Sequence, residues 1–187
     1  AVRQAVLQAA YAMLQESDFN SVTIEGIAAR AGTTKTTIYR WWSSKAAIII
    51  DAFLETTRSN TMFPNTGSVI EDFKQQIVLQ VEAFAGEIGH SVAAILAAGQ
   101  MDEETIVAFR TRYLAIRRAE AKTLIERGIE LGIFCASLDR ELAIDLLYGS
   151  IYLRLLVGHA PLNAEFAEHL VEHWLKGMLS REELSDV

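Results

Sequence analysis

Between Thr33 and Lys45 the chain reads Thr-Thr-Lys-Thr-Thr-Ile-Tyr-Arg-Trp-Trp-Ser-Ser-Lys: four threonines, three cations, a tyrosine and two tryptophans without one acid. The whole chain of 187 residues carries a formal net charge of −7. A local reversal of sign built from hydroxyls, a phenol, ammonium and guanidinium groups is a cluster of hydrogen-bond donors. Phosphate oxygens and base edges accept such donors, so the expected chemistry is recognition of double-stranded DNA. Residues 1 to 58 hold Arg3, Arg30, Lys35, Arg40, Lys45 and Arg58 against Glu16, Asp18, Glu25, Asp51 and Glu55. The excess of acid therefore lies beyond them, which points an N-terminal segment at an anion and a C-terminal body away from it.

Other constellations carry less. His169-Leu170-Val171-Glu172-His173 matches H-x-x-E-H, the inverted zinc-protease spacing in which two histidines one turn apart hold metal and the glutamate acts as base. It has no evident third ligand and sits among apolar residues, so a polar helix face is the simpler reading and a helical metal-dependent hydrolase the remote alternative. His90 and His159 stand alone. No Gly-rich phosphate loop, nucleophile elbow or carboxylate constellation occurs, so neither an enzyme nor a cofactor or metal is expected. The lone Cys135 cannot form an internal disulfide and reads as a small core residue in a reducing compartment. Arg110, Arg112, Arg117, Arg118, Lys122 and Arg127 are interleaved with Glu103, Glu104, Glu120, Glu126 and Glu130, the pattern of a salt-bridged solvent face.

The elements that must position the donors are helices. With 51% hydrophobic residues and 2 prolines, Pro64 and Pro161, the composition suits an all-α protein with a sizeable core. No apolar run approaches the roughly 18 residues of a membrane helix, and residues 1 to 20 lack the order of a signal peptide. A soluble, cytoplasmic protein with no membrane partner is expected. Periodicity and caps predict about nine helices: Val2 to about Glu16; Ile24 to Ala31 behind Thr23; Lys35 to Trp41 behind Thr34; and one behind Ser44 with Ile48, Ile49, Ala52 and Phe53 inward. After a linker at Pro64 to Ser68 come Val69 to Ala85, Ser91 to Gly99, a long helix Asp102 to about Leu131, Arg140 to Val157 behind Asp139, and one from Asn163 to about Leu179. Gly32 ends the second helix, and two helices joined by a tight glycine turn form a helix-turn-helix. On the short third helix Ile38 must point inward, which leaves Lys35, Thr36, Thr37, Tyr39 and Arg40 outward. Trp42 belongs in the core, while Trp41 is open to either role.

Thr23-x3-Ile27-Ala28-x2-Ala31-Gly32 followed by Thr37-Ile38-Tyr39-x2-Trp42-x2-Lys45 resembles the DNA-binding domain of the TetR/AcrR family of bacterial transcriptional regulators, over residues 1 to about 55. Thr33 departs from the aliphatic residue usual in the family. The resemblance implies that Lys35, Thr36 and Thr37 occupy base-reading positions, that Tyr39, Lys45 and Thr23 contact phosphate, and that Thr34 caps the reading helix with Arg40 beside it. Lys35 on a guanine edge would add about 1–3 kcal/mol of discrimination, and Thr36 and Thr37 suit thymine methyls. Glu25 stands where some relatives place a base-reading cation, so base contact from the second helix is not expected.

The resemblance also implies a division into residues 1–55, with the fourth helix running on to about 62, and a ligand-binding and dimerisation domain at 63–187. A homodimer would pair Leu142, Leu146, Gly149, Ser150 and Leu153 with Phe166, Leu170, Trp174 and Met178, the most apolar helical stripes of the C-terminal half. A small, largely apolar effector would sit among Phe73, Phe84, Ile95, Met101, Phe109, Tyr113, Tyr148 and Tyr152, with Gln100 and Arg154 as polar anchors, where plain core packing is the alternative. The function so implied is a repressor released from a palindromic operator by that effector. The alternative is the same regulator without a small-molecule effector.

Overall fold

The computed structural model describes residues 1–17 and 19–179, with the side chains of residues 59–61 left aside; the last part of the expected second domain, 180–187, lies outside the described residues. Its helices are α1 (Val2–Glu16), α2 (Ile24–Arg30), α3 (Lys35–Tyr39), α4 (Lys45–Thr61), α5 (Val69–Phe84), α6 (Glu87–Gly99), α7 (Glu103–Ala108), α8 (Ala115–Glu130), α9 (Arg140–Val157) and α10 (Ala164–Met178). A 3-10 turn, Phe19–Ser21, precedes α2, and a π-helical stretch, Phe109–Leu114, joins α7 to α8. Residues 103–130 thus stay helical throughout, as the single long helix expected, but with wider π turns in the middle. The only pairing of extended residues among the described ones is the isolated bridge Phe134–Leu179.

The helices start where short polar side chains can occupy the first free backbone N–H groups. Thr23 accepts from Gly26 N at 3.1 Å, Thr34 from Thr37 N at 3.2 Å and Ser44 from Ala47 N at 3.2 Å. Asp139 takes the N–H groups of Glu141 and Leu142 at 3.0 and 3.1 Å, and Asn163 that of Phe166 at 3.0 Å. Two differences from expectation are local: α6 begins at Glu87 rather than Ser91, and α3 is already over at Tyr39 rather than Trp41.

By packing, the chain forms two compact units, one of residues 1–59 with 87–116 and one of residues 60–86 with 117–187. In the first, Val6, Ala10, Ile27, Ile38, Ile48, Ile49 and Phe53 are fully or almost fully buried. Each such aliphatic or aromatic side chain stabilises the fold by about 1.5–3 kcal/mol on burial. α6 is fastened to α1 by Gln15, whose Nε2 donates to Ser91 Oγ at 2.6 Å. In the second unit Phe73, Phe134 and Trp174 make an aromatic cluster, with Phe73 and Trp174 ring centroids 4.8 Å apart.

Candidate nucleic-acid interface

The turn that sets α3 against α2 is closed twice. Thr33 N donates to Ala28 O at 2.9 Å and Gly32 N to Ala29 O at 3.3 Å, with Gly32 at φ 62. That left-handed position is cheap only for glycine, so Gly32 is the residue on which the reversal depends.

α3 is then held from beneath. Ile38 has no exposed surface and Trp42 almost none. The Trp42 indole N–H donates to Asp51 Oδ2 of α4 at 2.8 Å, and Arg112 Nη1, from the π-helical stretch, donates to both Asp51 oxygens at 3.0 Å. Arg3 of α1 lies over the Trp42 ring at 5.6 Å. With the inner side fixed, Lys35, Thr36, Tyr39 and Arg40 project outward, and Tyr39 is 55% exposed. Trp41 lies on the rim, half in solvent, its ring edge-on to Trp42 at 5.8 Å.

Five of the expected DNA-facing residues already have partners. Thr23 and Thr34 are occupied as caps through their oxygens, and the Thr34 hydroxyl is further shared with that of Thr37. Thr37 is half-buried, its hydroxyl 3.0 Å from that of Thr34, so it is less open to a base than Thr36. Lys45 is turned back: its Nζ donates to Phe19 O at 3.0 Å and lies over the Phe19 ring at 4.8 Å. Burial there pushes its ammonium pKa down, with the Asp102 carboxylate opposing. Lys45 also donates to Asn20 O at 3.4 Å and therefore fastens the 3-10 turn to α4.

One contact was missed by reading along the chain. Lys35 Nζ donates to Glu25 Oε1 at 2.7 Å, across the turn from α3 to α2. The hydrogen bond holds the Glu25 carboxyl below, and the Lys35 ammonium above, their ordinary ranges. The ten-residue separation hides the pair from helical periodicity; only the turn geometry places the two together.

Several expectations for the C-terminal half are corrected. Trp174 and Met178 are not on an outer stripe: both are buried, and Trp174 donates its indole N–H to Ala143 O at 2.8 Å. The exposed apolar stripe belongs to α9, where Leu142, Leu146, Leu153 and Leu156 are each more than half exposed and Gly149 is open, with Ser150, Phe166 and Leu170 half-buried. Met101 is 92% exposed and Gln100 is also at the surface, so neither lines an interior pocket. Arg154 is not an inward anchor: it donates to Pro161 O at 2.7 Å and covers the Phe166 ring at 3.6 Å. Phe73, Phe84, Ile95, Phe109 and Tyr113 are buried, and four of them are in ring contacts: Phe73 meets Phe63, Phe84 meets Tyr152, and Phe109 and Tyr113 meet each other. Tyr148 donates to Gln76 Oε1 at 2.7 Å. Two open clefts, of about 590 and 550 Å³, are lined by other residues, among them Leu79 and Val171 in one and Gln15 and His90 in the other. Cys135 is exposed rather than a core residue.

The cations of the basic helix are ion-paired, but only Arg117 pairs with an interleaved glutamate, Glu120 at 2.8 Å; Arg112, Arg118, Lys122 and Arg127 reach Asp51, Glu141 and Asp72 on other elements. In the H-x-x-E-H segment Glu172 accepts from Lys176 at 2.7 Å and His173 Nδ1 lies 2.7 Å from His169 O. The Lys176 hydrogen bond holds the Glu172 carboxyl below its usual range, the opposite of what a general base near neutral pH requires.

A short helix carrying donors outward, set by a glycine turn on a supporting helix and anchored by apolar side chains, defines a helix-turn-helix DNA-binding protein. Comparison with known proteins agrees: the family description "Bacterial regulatory proteins, tetR family" matches residues 6–52 and "Tetracyclin repressor-like, C-terminal domain" matches residues 63–174. The chain is 39% identical over 175 residues to the uncharacterized HTH-type transcriptional regulator YdeS of Bacillus subtilis (strain 168), over 94% of this chain and 88% of that one. It is 28% identical over 152 residues to the HTH-type transcriptional regulator AqdR of Rhodococcus erythropolis, covering 81% and 72% of the two chains. Among solved structures, the TetR family transcription regulator SCO0332 superposes with a TM-score of 0.84 at 31% identity, over 96% of this chain and 99% of that one. The chain belongs to the TetR family of bacterial transcriptional regulators. It is an HTH-type DNA-binding regulator, and its homologues and fold are those of regulators rather than enzymes.

Proposed function

We propose that the protein is a cytoplasmic homodimeric repressor whose two α3 helices enter successive major grooves of a palindromic operator, about 34–36 Å apart or a multiple of this. The observation that carries the reading is the two-sidedness of α3: Ile38 and the Trp42–Asp51 bond fix one side, and Lys35, Thr36, Tyr39 and Arg40 occupy the other. Lys35 and Thr36 read base edges, with Thr37 in part; Tyr39, Arg40, Lys45 and Thr23 hold phosphate, which positions without specifying, and Thr34 caps the helix. Residues 1–55 form the reading domain and 63–187 the part that dimerises and senses. The exposed α9 leucines supply the dimer surface, since an apolar stripe of this length is rarely left in water.

A small, largely apolar effector releases the repressor, acting through its difference in affinity for the DNA-bound and free arrangements. The ring contacts that Phe73 and Tyr113 make where a pocket lining was expected favour a second reading, a regulator without such an effector. A thermal-shift screen with apolar ligands separates the two. The DNA assignment is tested by titrating a duplex recovered from in-vitro selection: Lys35→Ala with Tyr39→Ala abolishes binding while leaving the dimer and its melting temperature unchanged. Undiminished affinity in that double variant would sink the assignment.

A further inference from the structure

The Glu25–Lys35 pair is out of place as a stabilising device. Its side chains are 64% and 52% exposed, and exposed pairs contribute little to folding. It also lies on the side of the turn that faces DNA, where an acid is normally a liability, because it repels phosphate. A lysine neutralised by its neighbour releases no counterion, so the pair subtracts Lys35 from sequence-independent binding. What remains is geometry: ammonium donors and carboxylate acceptors held side by side, with Tyr39 one turn along the same helix face.

In the major groove guanine presents N7 and O6 as adjacent acceptors and its partner cytosine presents the N4 amino donor. The Lys35 ammonium has three N–H donors and gives one to Glu25 Oε1, which leaves two for N7 and O6. Glu25 keeps its second oxygen for cytosine N4. We infer that Glu25 and Lys35 act as one reading unit for a single G·C base pair in each half-site, with Glu25 as the residue that determines specificity. An A·T pair offers acceptor, donor, acceptor and then a methyl group across the same edge, so the second ammonium donor meets the adenine amino group. The inference rests on α3 being the element in the groove, as proposed above.

The test uses the full-length protein, a palindromic duplex enriched by selection on the wild type, and a panel in which each base pair is changed symmetrically. Fluorescence anisotropy gives the ratio of affinities at every position. At one G·C position per half-site, exchange for A·T should weaken the wild type about 10-fold or more. Glu25→Gln and Lys35→Met should each compress the ratio at that same position to below about 3-fold, with unchanged melting temperature. On a scrambled duplex, Glu25→Gln should bind tighter than the wild type with a log–log salt slope steeper by about one, because the released ammonium reaches a phosphate. Discrimination left intact in Glu25→Gln, or loss at a position that Lys35→Met does not share, overturns the inference while leaving the DNA reading in place. A selection that enriches no sequence removes both.

Discussion

The indole N–H of Trp42 and the carboxylate of Asp51 meet across 2.8 Å directly behind the reading helix, and Arg112 closes the same carboxylate from its other side. Trp42 follows α3 by three residues, so this bond sets where α3 ends relative to α4. Asp51→Ala leaves a partly buried guanidinium and a buried indole N–H without their acceptor. The expected cost is about 2–3 kcal/mol, or about 5–10 °C in the melting curve of a chain this size. Operator affinity should fall with it. Arg112→Met, which spares the Trp42 bond, should cost less than half as much in the same melting experiment.

The α9 leucines and Trp174 should separate association from folding. Leu146→Glu together with Leu153→Glu places charge on an exposed stripe, so sedimentation should show a monomer that melts only slightly early. Trp174→Ala opens a hole beside Phe73 and Phe134 and breaks the bond to Ala143 O, at about 3–5 kcal/mol. If the leucine variant stays dimeric, α9 is not the interface.

Gly128 and Gly32 resist substitution for different reasons. A Cβ on Gly128 would come within 2.3 Å of Phe134 Cδ2, so Gly128→Ala should cost about 1–3 kcal/mol by overpacking and be relieved by Phe134→Leu. A Cβ on Gly32 meets nothing within 4 Å, and Gly32→Ala should cost about 1 kcal/mol through its left-handed backbone alone, with no rescue by a neighbour. Chemical denaturation of the three variants checks both.

The carboxyls of Glu16, Glu141 and Glu172 are all held below their usual range, each chiefly by a hydrogen bond from its basic partner, Arg30, Arg118 and Lys176 respectively. A carboxyl depressed in the folded state stabilises it fully above the unfolded pKa of about 4.3 and loses that contribution as pH falls through the lowered value. The melting temperature should owe none of its slope between pH 5 and 8 to these groups, and should fall below about pH 4. Glu141→Gln, which deprives Arg118 of one partner, should melt earlier at neutral pH and lose less on acidification than the wild type.

Much of the fold was legible because it is written in local chemistry. Thr23, Thr34, Ser44, Asp139 and Asn163 each cap the helix expected of them, since a cap needs only a short oxygen beside a free N–H. The bounds of α9 follow from Asp139 and from Gly158 in the left-handed conformation. What escaped depends on partners remote in sequence. Trp174 has the spacing of an outward stripe, and only Phe73, Phe134 and the Ala143 carbonyl, all remote in sequence, show why it turns inward. Lys35 reads as a base contact with no protein partner until the turn carries Glu25 to it, and nothing in the spacing tells that the Phe19 carbonyl accepts from Lys45. Met101 has the composition of a pocket residue but stands at the corner between α6 and α7, where an unbranched apolar side chain can lie in solvent. The π-helical stretch left no trace in the periodicity, because one widened turn differs too little from 3.6 residues per turn to register.

That stretch, Phe109–Leu114, accommodates one residue more than an α-helix would over the same path. It has the form of a single-residue insertion absorbed without disturbing the helix on either side, and Arg112 and Tyr113 are the residues it presents to Asp51 and Phe53. Shortening the chain by one residue there would let α7 and α8 close into an uninterrupted helix and would withdraw the grip on α4. Relatives that lack the extra residue should therefore keep the architecture while fastening their reading helix by other means.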